Sequence, residues 1–205
     1  MIMRNGEVMV TGSIVELLSV RRGHFALESG LHGDAWFDLE PLFLEPAGLA
    51  PFLADLAQLL TPWRLDGVCG AMSGGAFVAF AVASVLGIDF LYSERLVAPG
   101  PSGASAVAYR VPRALRRAAQ GRRLAVVDDA INAGSAVTKT CDDLRSAGAV
   151  PVVMASLLTV GGTAPKKLEG YPEVVALQHM ESNLWQPVEC PLCRSDEPLV
   201  DPYGA

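Results

Sequence analysis

Two carboxylates stand side by side at Asp128 and Asp129, between an apolar run at residues 124–127 and the small-residue turn Asn132-Ala133-Gly134-Ser135. Small side chains let backbone N–H groups converge in such a turn, and a helix that follows points its positive end at them, so the turn suits a phosphate. The carboxylates repel phosphate. They accept hydrogen bonds from vicinal hydroxyls or sit near a metal ion. A ligand with a phosphate on one side and a cis-diol a few ångströms away is a ribose 5-phosphate. A second glycine turn, Gly74-Gly75, precedes a small-residue helical pattern in the same way.

The cations are concentrated elsewhere. Seven arginines and no acidic residue fall between Arg95 and Arg123, within a chain of formal net charge −6. An acidic protein with one basic segment is a poor general nucleic-acid binder and a better host for a small anion. Four cysteines in 205 residues are too few for a disulfide scaffold and agree with a reducing compartment. Cys190-Pro-Leu-Cys193 has the spacing of half a zinc site, but no second CxxC or HxxxH completes it, so it reads as a C-terminal turn, with a structural zinc, including one shared between subunits, as the alternative. His24 and His32 flank the Ser29-Gly30 turn and are within reach of a ligand there; as lone histidines they read first as polar packing residues. Lys166-Lys167 reads as a solvated pair, and Cys69, Cys141, Trp63 and Trp185 as packing residues.

These groups need a scaffold to hold them. With 51% hydrophobic and 19% charged residues the chain buries a full core, and one α/β domain over residues 1–205 is expected. A short helix is predicted at residues 13–20 and an amphipathic helix from Pro46 to about Thr61. Strands follow at 66–71, 88–92, 124–128 and 150–158, alternating with helices at 76–86, whose apolar run from Phe77 reads as core, and at 136–147. Strand, turn and helix in succession build a parallel sheet flanked by helices, whose ligands bind at the carboxyl ends of the strands. Both glycine turns fall at that edge. No stretch has the length of a spanning helix and the N-terminus lacks a secretory pattern, so a cytoplasmic protein is expected.

VVDDAINAGSA resembles the phosphoribosyl diphosphate signature of the type I phosphoribosyltransferases. GHFALESGLHGDAWFDLEP, residues 23–41, is similar to the N-terminal pattern of the orotate phosphoribosyltransferase branch, with Phe25, Leu27, Ser29, Gly30 and Asp38 matching and Trp36 at an aromatic position. DGVCGAMSGGAFVAFAVASVLG resembles the family's diphosphate loop and its helix, and motif order agrees over about residues 14 to 160. The resemblance implies the type I phosphoribosyltransferase fold, with a hood from about residues 1–45 and possibly 179–205. It assigns Asp128 and Asp129 to the ribose hydroxyls and Mg²⁺. Ile131, Asn132, Ala133, Gly134, Ser135 and Ala136 would form the 5-phosphate loop, although Asn132 replaces the usual threonine. Ala71, Met72, Ser73, Gly74 and Gly75 would form the diphosphate loop, and Phe25, Ser29, Gly30, Trp36 and Phe37 the base site.

One departure separates the chain from that pattern. The family's lid carries lysines and a histidine, whereas the corresponding stretch here is Tyr92-Ser93-Glu94-Arg95, and Leu39 or Glu40 stands where many relatives have a lysine. Arg95 and Arg110 are therefore the expected lid cations, around a glycine-rich lid at residues 98–106. The implied reaction is Mg²⁺-dependent transfer of phosphoribose from phosphoribosyl diphosphate to orotate, by a homodimer without nucleic-acid or membrane partners. Salvage of another nucleobase, or a non-catalytic sensor of phosphoribosyl diphosphate, are the alternatives.

Overall fold

The computed structural model describes residues 13–27, 29–99, 105–161 and 168–202. The first helix expected from the sequence is only a 3-10 turn, Ile14–Leu17, because Ser19 already begins a strand, β1 (Ser19–Ala26). After β2 (His32–Asp38) come a second 3-10 turn and helix α1 (Pro46–Leu60), which Pro46 opens at its first position. The alternating units follow as β3 (Gly67–Ala71), α2 (Gly74–Leu86), β4 (Asp89–Pro99), β5 (Ser105–Arg110), α3 (Arg113–Ala119), β6 (Arg123–Ile131), α4 (Ser135–Ser146) and β7 (Val150–Gly161). The chain ends with β8 (Glu173–Glu181), the two-residue strand β9 (Leu184–Trp185), a short helix α5 (Pro191–Arg194) and β10 (Leu199–Val200).

Six strands form the main sheet in the order β5-β4-β3-β6-β7-β8. All its pairings are parallel except β4 with β5, which is an antiparallel hairpin. Apolar side chains cover both faces, as a parallel sheet requires. One face packs Val68, Ala125, Val127, Val153 and Ala155 against α1 and α2; the other packs Cys69, Leu124, Val126 and Met154 against α4 and the end of α3. From the central pair β3 and β6, α2 therefore leaves to one side and α4 to the other. That reversal opens a crevice at the carboxyl ends of the two strands. A second sheet, β10-β1-β2-β9, is built from the two ends of the chain.

Two further expectations change. β4 runs past Tyr92 to Pro99, so the flanks of the glycine-rich stretch are paired strands, Ala98 with Ala106 and Pro99 with Ser105. Residues 100–104 of the expected lid, like Lys166 and Lys167, lie outside the described residues. The apolar run beginning at Phe77 is only half core. Val78, Ala79, Val82 and Ala83 are buried, while Phe77, Phe80 and Val85 are more than half exposed, at 57%, 59% and 57%. No helix among the described residues is long and apolar enough to cross a membrane.

Candidate active site at the carboxyl edge of the sheet

A cavity of about 310 Å³ lies over the ends of β3 and β6. Its floor is the turn between β6 and α4. Gly134 caps α4 with φ +80°, a backbone conformation that favours glycine, and a side chain there would also strike Leu168. The Gly134 carbonyl accepts the backbone N–H of Thr138, and its hydroxyl as well, so the first turn of the helix is closed behind the loop. The Ser135 Oγ and the Asn132 Oδ1 are buried without a partner among the described residues. Unpaired buried polar atoms are costly, and both sit at the positive end of α4. The amide of Asn132 presents its N–H₂ on turning over, so the two side chains can donate to an anion.

Asp128 and Asp129 lie near the end of β6, at the side of this loop. Each carboxylate takes the next backbone N–H: Asp129 N donates to Asp128 Oδ1 at 3.1 Å, and Ala130 N to Asp129 Oδ1 at 2.8 Å. Desolvation pushes the Asp129 carboxyl above its ordinary range despite these bonds. The start of α2 lies directly against the pair. A Cβ on Gly75 would come within 2.5 Å of Asp128 Oδ1, and one on Gly74 would overlap the Asp129 carboxylate. Glycine is required at both places for the two loops to meet.

Met72, Ser73 and Gly74 from the β3 turn and the stretch from Ile131 to Ala136 all line the cavity with the two aspartates. Ala71 and Gly75 are buried just behind the lining. On the far wall the second sheet contributes Trp36 and Phe37, and the β1–β2 connection contributes Ser29, whereas Gly30 stays outside. Phe25 does not reach the cavity; it is buried with its ring 6.5 Å from that of Trp36. Arg95 lines the cavity from β4 beside Tyr109 of β5.

Arg110 does not line it. Its guanidinium bonds Asp143 of α4, as does that of Arg116. Arg122 is paired with Asp89, and Arg123 donates to the carbonyls of Arg64 and Trp63. Much of the cationic segment thus secures β5, α3 and β6 to their neighbours, and Arg95 is its one member on the cavity wall among the described residues.

Ser182 and Leu184 also face the cavity, from the corner between β8 and β9. Asp34 of β2 holds that corner: Ser182 Oγ donates to its Oδ1 at 2.8 Å and Asn183 Nδ2 to its Oδ2 at 2.7 Å. Leu27, a matching position of the N-terminal pattern, lines the cavity too; neither this corner nor Val160 carries a motif, and alternation along β2 is the only sequence signal that places Ala35 beside Phe37. His24 and His32 are buried away from the cavity and meet Cys190 and Cys193, so neither the ligand-contact reading nor the plain C-terminal turn describes them.

No family model matches the chain. The fold is that of the type I phosphoribosyltransferases. The adenine phosphoribosyltransferase of Rhodothermus marinus superimposes with a TM-score of 0.60 at 17% identity, over 81% of this chain and 96% of that one. The orotate phosphoribosyltransferase of Mycobacterium tuberculosis superimposes with a TM-score of 0.58 at 21% identity, over 82% and 93%. The fold likeness and the sequence likeness together support a phosphoribosyltransferase enzyme. In sequence it is similar to curated orotate phosphoribosyltransferases: that of Caldanaerobacter subterraneus subsp. tengcongensis is 27% identical over 186 residues, 89% of this chain and 90% of the relative.

Proposed function

We propose that this enzyme transfers phosphoribose from phosphoribosyl diphosphate to orotate. The observation that carries the proposal is the meeting, around one cavity, of the α4 phosphate turn, the paired aspartates and the β3 turn. The likeness to orotate phosphoribosyltransferases along nine-tenths of the chain supports orotate as the base.

In this reading the 5-phosphate sits on the turn of residues 131–135, receiving backbone N–H groups and the hydroxyl of Ser135. Asp128 and Asp129 accept the ribose hydroxyls and fix C1 over the β3 turn. The bond from C1 to the diphosphate oxygen breaks first, and the leaving group takes its electron pair. A ring nitrogen of orotate then supplies the pair for the new C1–N bond, and its N–H proton passes to the departing diphosphate or to solvent. Both carboxylates stand near the cation-like ribose, and Arg95 faces the developing diphosphate charge. Trp36 and Phe37 of the small sheet, the hood, cover the base and exclude water that would hydrolyse the activated sugar.

Mg²⁺ fits the donor set. Asp128 and Asp129 offer hard oxygens, and Asp129 sits where burial disfavours its charge, so a cation relieves a cost the free protein carries. The two carboxylates would hold it together with diphosphate oxygens, and its chemistry there is neutralisation of the leaving group.

The reading is tested by ultraviolet absorbance of orotate in the presence of phosphoribosyl diphosphate and Mg²⁺. Orotate consumption with release of diphosphate is expected. Turnover with another base in its place points to salvage. A second reading, a sensor without turnover, is favoured by one observation: Arg95 is the only cationic side chain lining the cavity among the described residues. Tight binding of phosphoribosyl diphosphate with no turnover of any base would establish it.

A further inference from the structure

Four side chains from three separate parts of the chain converge at the outer end of the small sheet. His24 comes from β1, His32 from β2, and Cys190 and Cys193 from the C-terminal segment around α5. Their nearest ligand atoms, one per residue, all lie within 4.8 Å of one another. His24 Nε2 is 2.9 Å from His32 Nδ1, 3.4 Å from Cys190 Sγ and 3.6 Å from Cys193 Sγ, and Cys193 Sγ is 3.3 Å from His32 Nδ1.

We propose that these four residues bind a structural zinc ion that clamps the C-terminal segment to the hood. Bond lengths of about 2.0 Å to nitrogen and about 2.3 Å to sulfur place tetrahedral ligand atoms about 3.3 to 3.8 Å apart. Four of the six separations, 2.9 to 3.6 Å, are close to that range and the other two are within 4.8 Å, so a modest adjustment of the four side chains admits the ion. The surroundings also favour a metal. His24 Nδ1–H donates to the carbonyl of Glu197 at 2.9 Å, which leaves the Nε2 lone pair directed at the cluster. His24, His32 and Cys190 are buried, at 2%, 8% and 0% exposure, so access is from the Cys193 side. On binding, the two thiols give up their protons and ligate as thiolates; with two neutral imidazoles the site carries no net charge, which lowers the cost of burial. Two sulfurs and two nitrogens in a closed tetrahedron select zinc over the hard cations, and all four positions are filled by protein, which defines a structural rather than a catalytic site.

The position explains what the ion does. β10 has two residues and is joined to β1 through the pairs His24 with Leu199 and Phe25 with Val200; β9 also has two, paired with His32 and Gly33. Strands that short hold poorly by themselves. The metal fixes both hood strands and the C-terminal segment at the point where they meet. Leu27 and Ser29, which line the cavity, lie in the connection between the two histidine-bearing strands. Zinc thereby sets the position of that wall from behind, without touching a substrate.

The test is metal analysis of the full chain purified without chelator or added metal. One zinc per chain is expected, with loss of the ion and a lowered melting temperature on treatment with a strong chelator. Reconstitution of the stripped protein with Co²⁺ should give the intense visible bands of tetrahedral cobalt and a thiolate charge-transfer band in the near ultraviolet. Cys193→Ser, at an exposed position, should fold with metal affinity at least tenfold lower, and Cys193→His should restore it. Zinc-free protein that gives only the weak bands of octahedral cobalt would overturn the proposal, as would a zinc stoichiometry unchanged in Cys190→Ser with Cys193→Ser. A Cys190–Cys193 disulfide in protein isolated under reducing conditions would overturn it too. None of these readouts depends on the phosphoribosyl transfer reaction.

Discussion

Arg110 Nη1 donates to Asp143 Oδ1 at 2.9 Å, and this bond ties the last residue of β5 to the middle of α4. The same carboxylate takes Arg116 Nη1 at 2.6 Å and the backbone N–H of Val111 at 2.9 Å on Oδ2. Asp143 is 4% exposed, so its charge depends on these three donors. Asp143→Asn should therefore lower stability by about 2 kcal/mol, discounted because both guanidinium groups reach solvent. Thermal unfolding measures this as a fall of about 5 °C.

The same geometry separates two arginines that are alike in sequence. Arg110→Ala breaks one of three bonds to Asp143, so turnover should stay within about twofold of wild type and stability should fall by less than about 1 kcal/mol. Arg95→Ala removes the cation on the cavity wall. Loss of such a contact costs on the order of 3 kcal/mol in the transition state, or roughly a hundredfold in kcat. Steady-state assay of the two variants side by side decides the point, and equal losses would remove the distinction.

The hood has its own electrostatic tether in Asp34. Burial raises its carboxyl, but the side chain of Asn183, the hydroxyl of Ser182, the Asn183 backbone N–H and Arg22 together hold it below the ordinary value. A group depressed in the folded state contributes stability above its unfolded pKa and loses it as pH falls through the folded one. Asp34→Asn should lower stability by about 2 kcal/mol near neutral pH. As pH falls below the ordinary carboxylate range and through the depressed folded value, the wild type should lose the advantage and the two melting temperatures should converge. A difference that persists unchanged in acid would mean that the tether is not ionic.

Local signals made the centre of the molecule legible. β6, its turn and α4 follow one another within 24 residues, and an apolar strand, Gly134 at positive φ and an amphipathic helix each leave a short-range mark. The hood left few such marks, since β9 and β10 have two residues each and show no period. Cys190 and His24 are 166 positions apart, so half a zinc spacing at one end of the chain gave no hint of its complement at the other. The arginines misled for a related reason. Composition located a cationic segment, but Asp143, Asp89 and the carbonyls that absorb its charge come from other elements.

The outer face of α2 supports assembly. Phe77, Phe80 and Val85 are more than half exposed, Phe77 packs on Phe43, and neighbouring Leu44 is 81% exposed. An exposed apolar face of this kind suits contact with a second copy of the chain. Light scattering at micromolar concentration should return twice the chain mass, and Phe80→Glu should shift it towards one chain mass. A wild-type monomer would count against the homodimer.

Asp128 and Asp129 provide the most direct test of how the site holds the ribose. Their Oδ1 atoms accept backbone N–H groups that an asparagine Oδ1 can equally accept, so Asp128→Asn with Asp129→Asn should fold as wild type does. The glycines of α2 pack against these side chains, and an amide occupies nearly the same volume as a carboxylate, so the crevice keeps its shape. The change removes two negative charges and replaces two acceptors with donors, which cannot receive the ribose hydroxyl protons or balance a cation beside the diphosphate. Calorimetric titration with phosphoribosyl diphosphate and Mg²⁺ should show affinity reduced at least tenfold, with a thermal unfolding midpoint no lower than that of wild type. An unchanged dissociation constant would sink the assignment of the ribose to this pair.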